Sequence, residues 1–201
     1  MRVISGSARG TKLFSPPTTA TRPTSDFVKE NLFNIIQGDL RERDICFLDL
    51  FAGTGAIGIE ALSRGASYAV FLESNQTNID ILRKNLQKTR LEKKADIIKG
   101  DIFTYIKRLH GSIFDIIFMD PPYFEDYYKK TFDLILKYEL LAKDGMIISE
   151  MSRFSDKTAF SGFKEFKVKE YSATRLVFYE HTKHVRLKGE TLHDCGLSGK
   201  L

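Results

Sequence analysis

From about residue 45 onward, short apolar runs alternate with amphipathic stretches, and this alternation limits the fold more than any other feature of the 201-residue chain. Residues 45–49, 68–73, 95–99, 113–119 and 146–150 read as buried strands, and helical periodicity fills roughly 55–64, 75–89, 101–109 and 125–140. Strands separated by helices argue for βαβ units and a parallel sheet. Right-handed crossovers then place helices on both faces. After Glu150 the pattern changes: 163–171 and 173–180 alternate residue by residue and meet near Ser172, as a terminal antiparallel hairpin would. The expectation is an α/β fold with a seven-stranded, mostly parallel sheet.

Before this core, 24–37 carries Phe27, Val28, Leu32, Phe33, Ile35 and Ile36 at helical spacing, with Thr24 or Ser25 as N-cap. Residues 1–14 resemble a small hairpin, Val3-Ile4 against Leu13-Phe14, turned between Gly6 and Gly10. The segment 15–23 holds three of the five prolines and reads as an irregular connection. The expected organisation is an N-terminal basic arm over 1–23, one domain over 24–180 and a C-terminal extension over 181–201. A chain of this size can bury a substantial core. A hydrophobic content of 42% and a charged content of 28% are those of a soluble globular protein. No apolar run reaches the length of a membrane span, and the N-terminus does not read as a secretory signal. Cys46 and Cys195 stand at opposite ends, so a buried thiol at Cys46 and a reducing cytoplasm are expected rather than a disulfide framework. A monomer is expected.

The net charge of +5 is unevenly spread. Residues 1–25 carry four cations (Arg2, Arg9, Lys12, Arg22) and no acid, and 151–201 are net +4, whereas 26–150 are net −3. Basic ends around a mildly acidic middle suit a core flanked by segments that touch a polyanion. The plainer reading is a lysine-rich solvated surface.

Gly53-Thr54-Gly55-Ala56-Ile57-Gly58 fits G-x-G-x-x-G, and Glu73 follows Gly53 by twenty residues. That spacing suits any nucleoside whose ribose hydroxyls an acid can hold. Asp49 separates the ligands. A carboxylate before the glycine turn opposes a pyrophosphate but favours S-adenosylmethionine, which carries a sulfonium and an ammonium. Asp101 and Asp120 close the third and fourth strands on the same carboxyl edge, where open α/β sheets bind ligands. The alternative for Asp101 is a helix cap, and for Glu73 an ordinary strand end.

Asp120-Pro121-Pro122-Tyr123 points to the reaction. An exocyclic amine on an aromatic ring is a poor nucleophile because its lone pair is delocalised. A carboxylate beside a rigid carbonyl can hold both amine hydrogens and localise that pair, and Tyr123, with Phe124, offers a face on which a flipped base stacks.

Four blocks now carry a resemblance. They are Arg2-Val3-Ile4-Ser5-Gly6 with Arg9-Gly10; Arg22-Pro23-Thr24 leading into 28–34; 49–55 running to 60–66; and Asp120-Pro121-Pro122-Tyr123. With these the chain resembles the RsmD family of bacterial small-subunit (16S) ribosomal RNA guanine-N2 methyltransferases. The resemblance implies a Rossmann-like class I methyltransferase fold and S-adenosylmethionine as cofactor. Asp49, Leu50, Phe51, Ala52, Gly53, Thr54 and Gly55 would cradle its methionine part. Glu73, with Ser74 beside it, would take the ribose. Asp101 and Ile102 would border the adenine, and Asp120 through Tyr123 would hold the target guanine, with Asp120 also at the cofactor. Arg2, Arg9, Lys12, Arg22 and Lys29 would lie near ribosomal RNA or the small subunit. Lys29 stands where the family commonly has arginine, which keeps the charge but not a bidentate phosphate grip. The tail holds His181, His184, His193 and Cys195 in no recognised zinc spacing, so no metal is expected. The rival activities are adenine-N6 methylation of DNA or another RNA, a non-catalytic RNA-binding role on the same fold, and a dehydrogenase.

Overall fold

A computed structural model of the chain describes residues 1–16, 26–42, 44–122, 125–156 and 158–182, with the side chains of 41, 42 and 125 left aside. Seven strands form one sheet: β1 (Cys46–Leu50), β2 (Tyr68–Glu73), β3 (Ala95–Lys99), β4 (Phe114–Met119), β5 (Leu141–Ser152), β6 (Phe163–Glu170) and β7 (Thr174–His181). Their order is β3-β2-β1-β4-β5-β7-β6. The first five pair in parallel, and β7 runs antiparallel to both β5 and β6. The helices are α1 (Asp26–Glu42), α2 (Ala56–Arg64), α3 (Gln76–Thr89), α4 (Ile102–Tyr105) and α5 (Glu125–Lys137). Among the described residues no helix is long and apolar enough to cross a membrane.

Two apolar layers sandwich the sheet, and strand alternation decides which residue joins which. Phe47, Ile116, Phe118, Met146 and Ile148 face α1, α2, α3 and the N-terminal arm. Leu48, Leu50, Ile117, Met119, Ile147 and Met151 face α4 and α5. Because β2 and β3 extend from β1 on one side and β4 and β5 on the other, the chain reverses direction between β1 and β4. The crevice at their carboxyl ends is the ligand-binding position of such sheets.

Three boundaries depart from the sequence reading. Helix α1 runs on to Glu42 rather than stopping at 37, because Leu40, past Gly38, packs into the core at 2% exposure. The stretch 101–109 is not one helix: α4 lasts one turn and a 3-10 turn, Ile106–Leu109, follows. Strand β5 starts at Leu141, not Met146. Lys143-Asp144-Gly145 interrupts the apolar run but lies within the strand, where the pairing with β4 shifts register between Phe114 and Ile116. Cys46 is buried as expected, but it is disulfide-bonded rather than a free thiol. The N-cap positions Thr24 and Ser25, and the tail beyond Thr182, lie outside the described residues.

Candidate active site

The turn after β1 is built by close approach. Phe51 takes a left-handed φ of 63° without being glycine, so the chain is strained where it leaves the strand. Gly55 has φ 81°, and a Cβ there would stand 2.1 Å from Leu82 Cδ1 of α3. A Cβ on Gly58 would stand 2.3 Å from the Phe71 ring and 3.1 Å from Asp49 Oδ2, so α2 can settle on β2 only with glycine there. The Gly58 N–H donates to Asp49 Oδ2 at 2.9 Å, which fixes that carboxylate under the start of α2. At Gly53 a Cβ would meet nothing within 4 Å, so the tip of the turn faces open space.

Acids line the same edge. Glu73 ends β2 with both oxygens engaged: Oε2 accepts from Gly53 N and Oε1 from Asn75 N, each at 2.7 Å. Asp49 is 2% exposed, and its carboxyl is pushed up to about 7, chiefly by burial. The Gly58 N–H opposes that rise and the negative charge of Glu73 adds to it. Asp120, half-buried just past β4, is pushed up to about 8 by burial, then by Glu150 and then by Asp49. Carboxylates from β2, β1, β4 and β5 therefore stand within electrostatic reach of one another. A site of this kind resists a phosphate and rewards a cation.

The other expected ligand residues take distinct places. Leu50 is fully buried against the α4 and α5 layer, so only its backbone reaches the turn. Ala52 is buried, Thr54 half-buried and Ser74 exposed. The Asn85 Nδ2 donates to Thr54 O at 3.0 Å. Asp101 is exposed and caps α4, its Oδ1 accepting from Thr104 N at 3.1 Å, while Ile102 beside it is buried. Pro121 is buried and Pro122 exposed; Tyr123 and Phe124 lie outside the described residues. Two features went unnoticed in the sequence. Phe51 and Phe103 both pack against Tyr127 of α5, with centroids 6.2 and 5.1 Å away, and only the fold brings these rings together. Glu150 lies near the carboxyl end of β5 as Asp49, Glu73 and Asp120 lie at the ends of theirs, a positional signal the sequence did carry. A cavity of about 350 Å³, lined among others by Tyr128, Met151, Phe154 and Phe160, lies on the α5 side of β5, away from the side of the sheet that Asp49 faces.

A family model described as Conserved hypothetical protein 95 matches residues 1–180. The chain belongs to that family, the RsmD methyltransferases. Ribosomal RNA small subunit methyltransferase D of Escherichia coli K12 is 34% identical over 150 residues, covering 75% of this chain and 74% of that protein. YlbH of Bacillus subtilis is 42% identical over 157 residues, covering 76% and 83%. The solved structure of yhhF from Escherichia coli superposes with a TM-score of 0.79 at 28% identity, covering 90% of this chain and 97% of that one. The sheet is thus the Rossmann-like class I methyltransferase sheet with its C-terminal antiparallel hairpin.

The basic arm of this RsmD chain is fastened to α2 and α3. Arg2 and Lys12 pair in an antiparallel bridge and are exposed, as is Arg9. Beneath them Glu60 of α2, fully buried, accepts from Ile4 N at 2.7 Å and Ser5 N at 3.0 Å, and pairs with Arg64 Nε at 2.7 Å. Gly6 lies so close to α2 that a Cβ would stand 1.7 Å from Ser63 O. At the arm's far end Asn85 of α3 accepts from Phe14 N at 2.7 Å and donates to Phe14 O at 3.1 Å. Lys29 corrects an expectation. It is 1% exposed, its Nζ donates to Arg2 O at 2.6 Å, and Glu60 Oε2 stands 3.6 Å away. An ammonium enclosed in this way holds the arm against α1 and cannot reach RNA; burial lowers its pKa while Glu60 and Asp26 raise it. Arg22 lies outside the described residues.

Proposed function

We propose that this protein transfers a methyl group from S-adenosylmethionine to the exocyclic N2 amine of a guanine in small-subunit ribosomal RNA. The observation that carries the reading is the run of acids Glu73, Asp49 and Asp120 along the carboxyl edge, beside an open glycine turn. The cofactor fits there because its cationic end relieves carboxyls that burial and mutual repulsion otherwise hold protonated. Asp49 and the turn 50–55 would hold the methionine part, Glu73 with Ser74 the ribose, and Asp101 with Ile102 the adenine side. When bound, S-adenosylmethionine supplies an electrophilic methyl group. The protein supplies the rest: Asp120 and the Pro121 carbonyl accept the two amine hydrogens, Tyr123 stacks on the extruded base, and Asp120 takes up the released proton. Positioning and preorganised acceptors account for most of the acceleration. The exposed cations of the arm and the names of the relatives support ribosomal RNA as the polyanion.

Asp120→Ala tests this. Methyl transfer should fall by at least about 100-fold, while calorimetry still detects cofactor binding through Asp49, Glu73 and the glycine turn. Mass analysis of nucleosides from treated small subunits should show N2-methylguanosine. Recovery of N6-methyladenosine, or near-normal transfer by the variant, would overturn the assignment.

A further inference from the structure

Strand register places a second acid beside Asp120. Phe118 pairs with Ile148 and Met119 with Ser149, so the next step brings Asp120 alongside Glu150. Side-chain alternation agrees. Met146 and Ile148 belong to the layer under α1, α2 and α3, and Ile147 and Met151 to the other, which sets Glu150 on the same side as Asp120. Glu150 is 4% exposed, and its charge is the largest electrostatic contribution, after burial, to holding the Asp120 carboxyl protonated. Its own backbone is anchored, since the Tyr128 hydroxyl donates to Glu150 O at 2.9 Å. The phenol of Tyr171 also feels the Glu150 charge, and Tyr171 meets Phe27 edge-on at 5.9 Å, with Phe27 65% exposed. The Glu150 charge therefore reaches both the Asp120 carboxyl and an aromatic pair of which Phe27 is open to solvent.

We infer that Glu150 is a specificity-determining residue that accepts the N1–H of the target guanine while Asp120 holds the neighbouring N2 amine; this rests on the function proposed above. Guanine presents two adjacent donors there, N1–H and N2–H, to two adjacent acid side chains. Adenine and cytosine present an amine flanked by a ring-nitrogen lone pair. That lone pair would confront the lone pairs of the Glu150 oxygens, a repulsive contact, and sites built to receive a donor reject analogues lacking it by large factors.

The base 2,6-diaminopurine keeps the 2-amine but replaces N1–H with a lone pair and the 6-oxo group with an amine, so the response of the Glu150 variants assigns the effect to N1. The position that the wild-type protein modifies is first mapped by nucleoside mass analysis. Small-subunit RNA is then made with guanine or 2,6-diaminopurine at that position. Wild type should prefer guanine by at least about 100-fold in kcat/KM. Glu150→Gln, whose amide can donate to a ring nitrogen, should narrow that preference to below about 10-fold while still binding S-adenosylmethionine in calorimetry, and Glu150→Ala should lose most transfer to guanine. Equal use of both bases by wild type overturns the inference without any variant. So does an unaltered preference in a folded Glu150→Gln. A wild-type product of N6-methyladenosine would instead overturn the guanine reading itself.

Discussion

Asp49 and Asp120 carry their chemistry through their protonation. Both carboxyls are raised well above the ordinary aspartate range, to about 7 and about 8, so the folded protein retains protons that the unfolded chain gives up. The stability this contributes is complete below the ordinary aspartate pKa and is lost as pH rises through the two raised values. A cationic ligand reverses the preference, because it favours the ionised forms. Binding of S-adenosylmethionine at pH 7 should release about one proton. Calorimetry in buffers of different ionisation enthalpy measures that number directly; a binding heat independent of buffer would refute the electrostatic account of the site. Asp49→Asn should reduce the release. Both acids were legible in the sequence because each closes an apolar run beside a glycine or proline turn. Lys29 was not. Nothing local distinguishes a lysine on a helix from a surface cation, and the partners that enclose it, Arg2 O and Glu60, come from 27 and 31 positions away.

Among the elements, the arm and α2 depend on each other through Glu60. Its two oxygens face Ile4 N, Ser5 N, Arg64 Nε and the Lys29 ammonium, all of them donors. Glu60→Gln would turn an acceptor into a donor inside this cluster, leaving buried N–H groups unpaired at on the order of 1–3 kcal/mol. Thermal unfolding should shift down accordingly, and hydrogen exchange should quicken at residues 4 and 5. Cofactor affinity should stay near wild type, because Glu60 does not face the glycine turn. Unchanged exchange at those two amides would show that the arm is held by its apolar contacts alone. The antiparallel return of the first fourteen residues and the helix α2 were both legible, since turn glycines and helical periodicity are local signals. The clasp between them is tertiary and left no such trace. The same division explains β5. Lys143-Asp144-Gly145 has turn chemistry, and only pairing with β4 keeps it in the strand.

For the molecule as a whole, the charge asymmetry becomes a surface once the arm is seated. Arg2, Arg9 and Lys12 are exposed on a segment stapled to α2 and α3, and the end of that segment touches Asn85, which also holds Thr54 of the glycine turn. Cations fixed in this manner can bind phosphates without losing chain entropy on contact, unlike those of a loose tail. Their contribution should be electrostatic and indifferent to sequence, so it should fall with salt as released counterions dictate. Arg2→Gln, Arg9→Gln and Lys12→Gln together should lower the slope of log affinity against log salt by about 2, as the loss of three phosphate contacts would. The measurement is a titration of small-subunit RNA between about 50 and 200 mM potassium chloride, read alongside cofactor affinity, which should not change. A slope equal to wild type would remove the arm from the RNA interface and leave its cations as solvated charge. A lower slope with normal product identity would separate the two tasks, affinity residing in the arm and the choice of base at the carboxyl edge of β4 and β5.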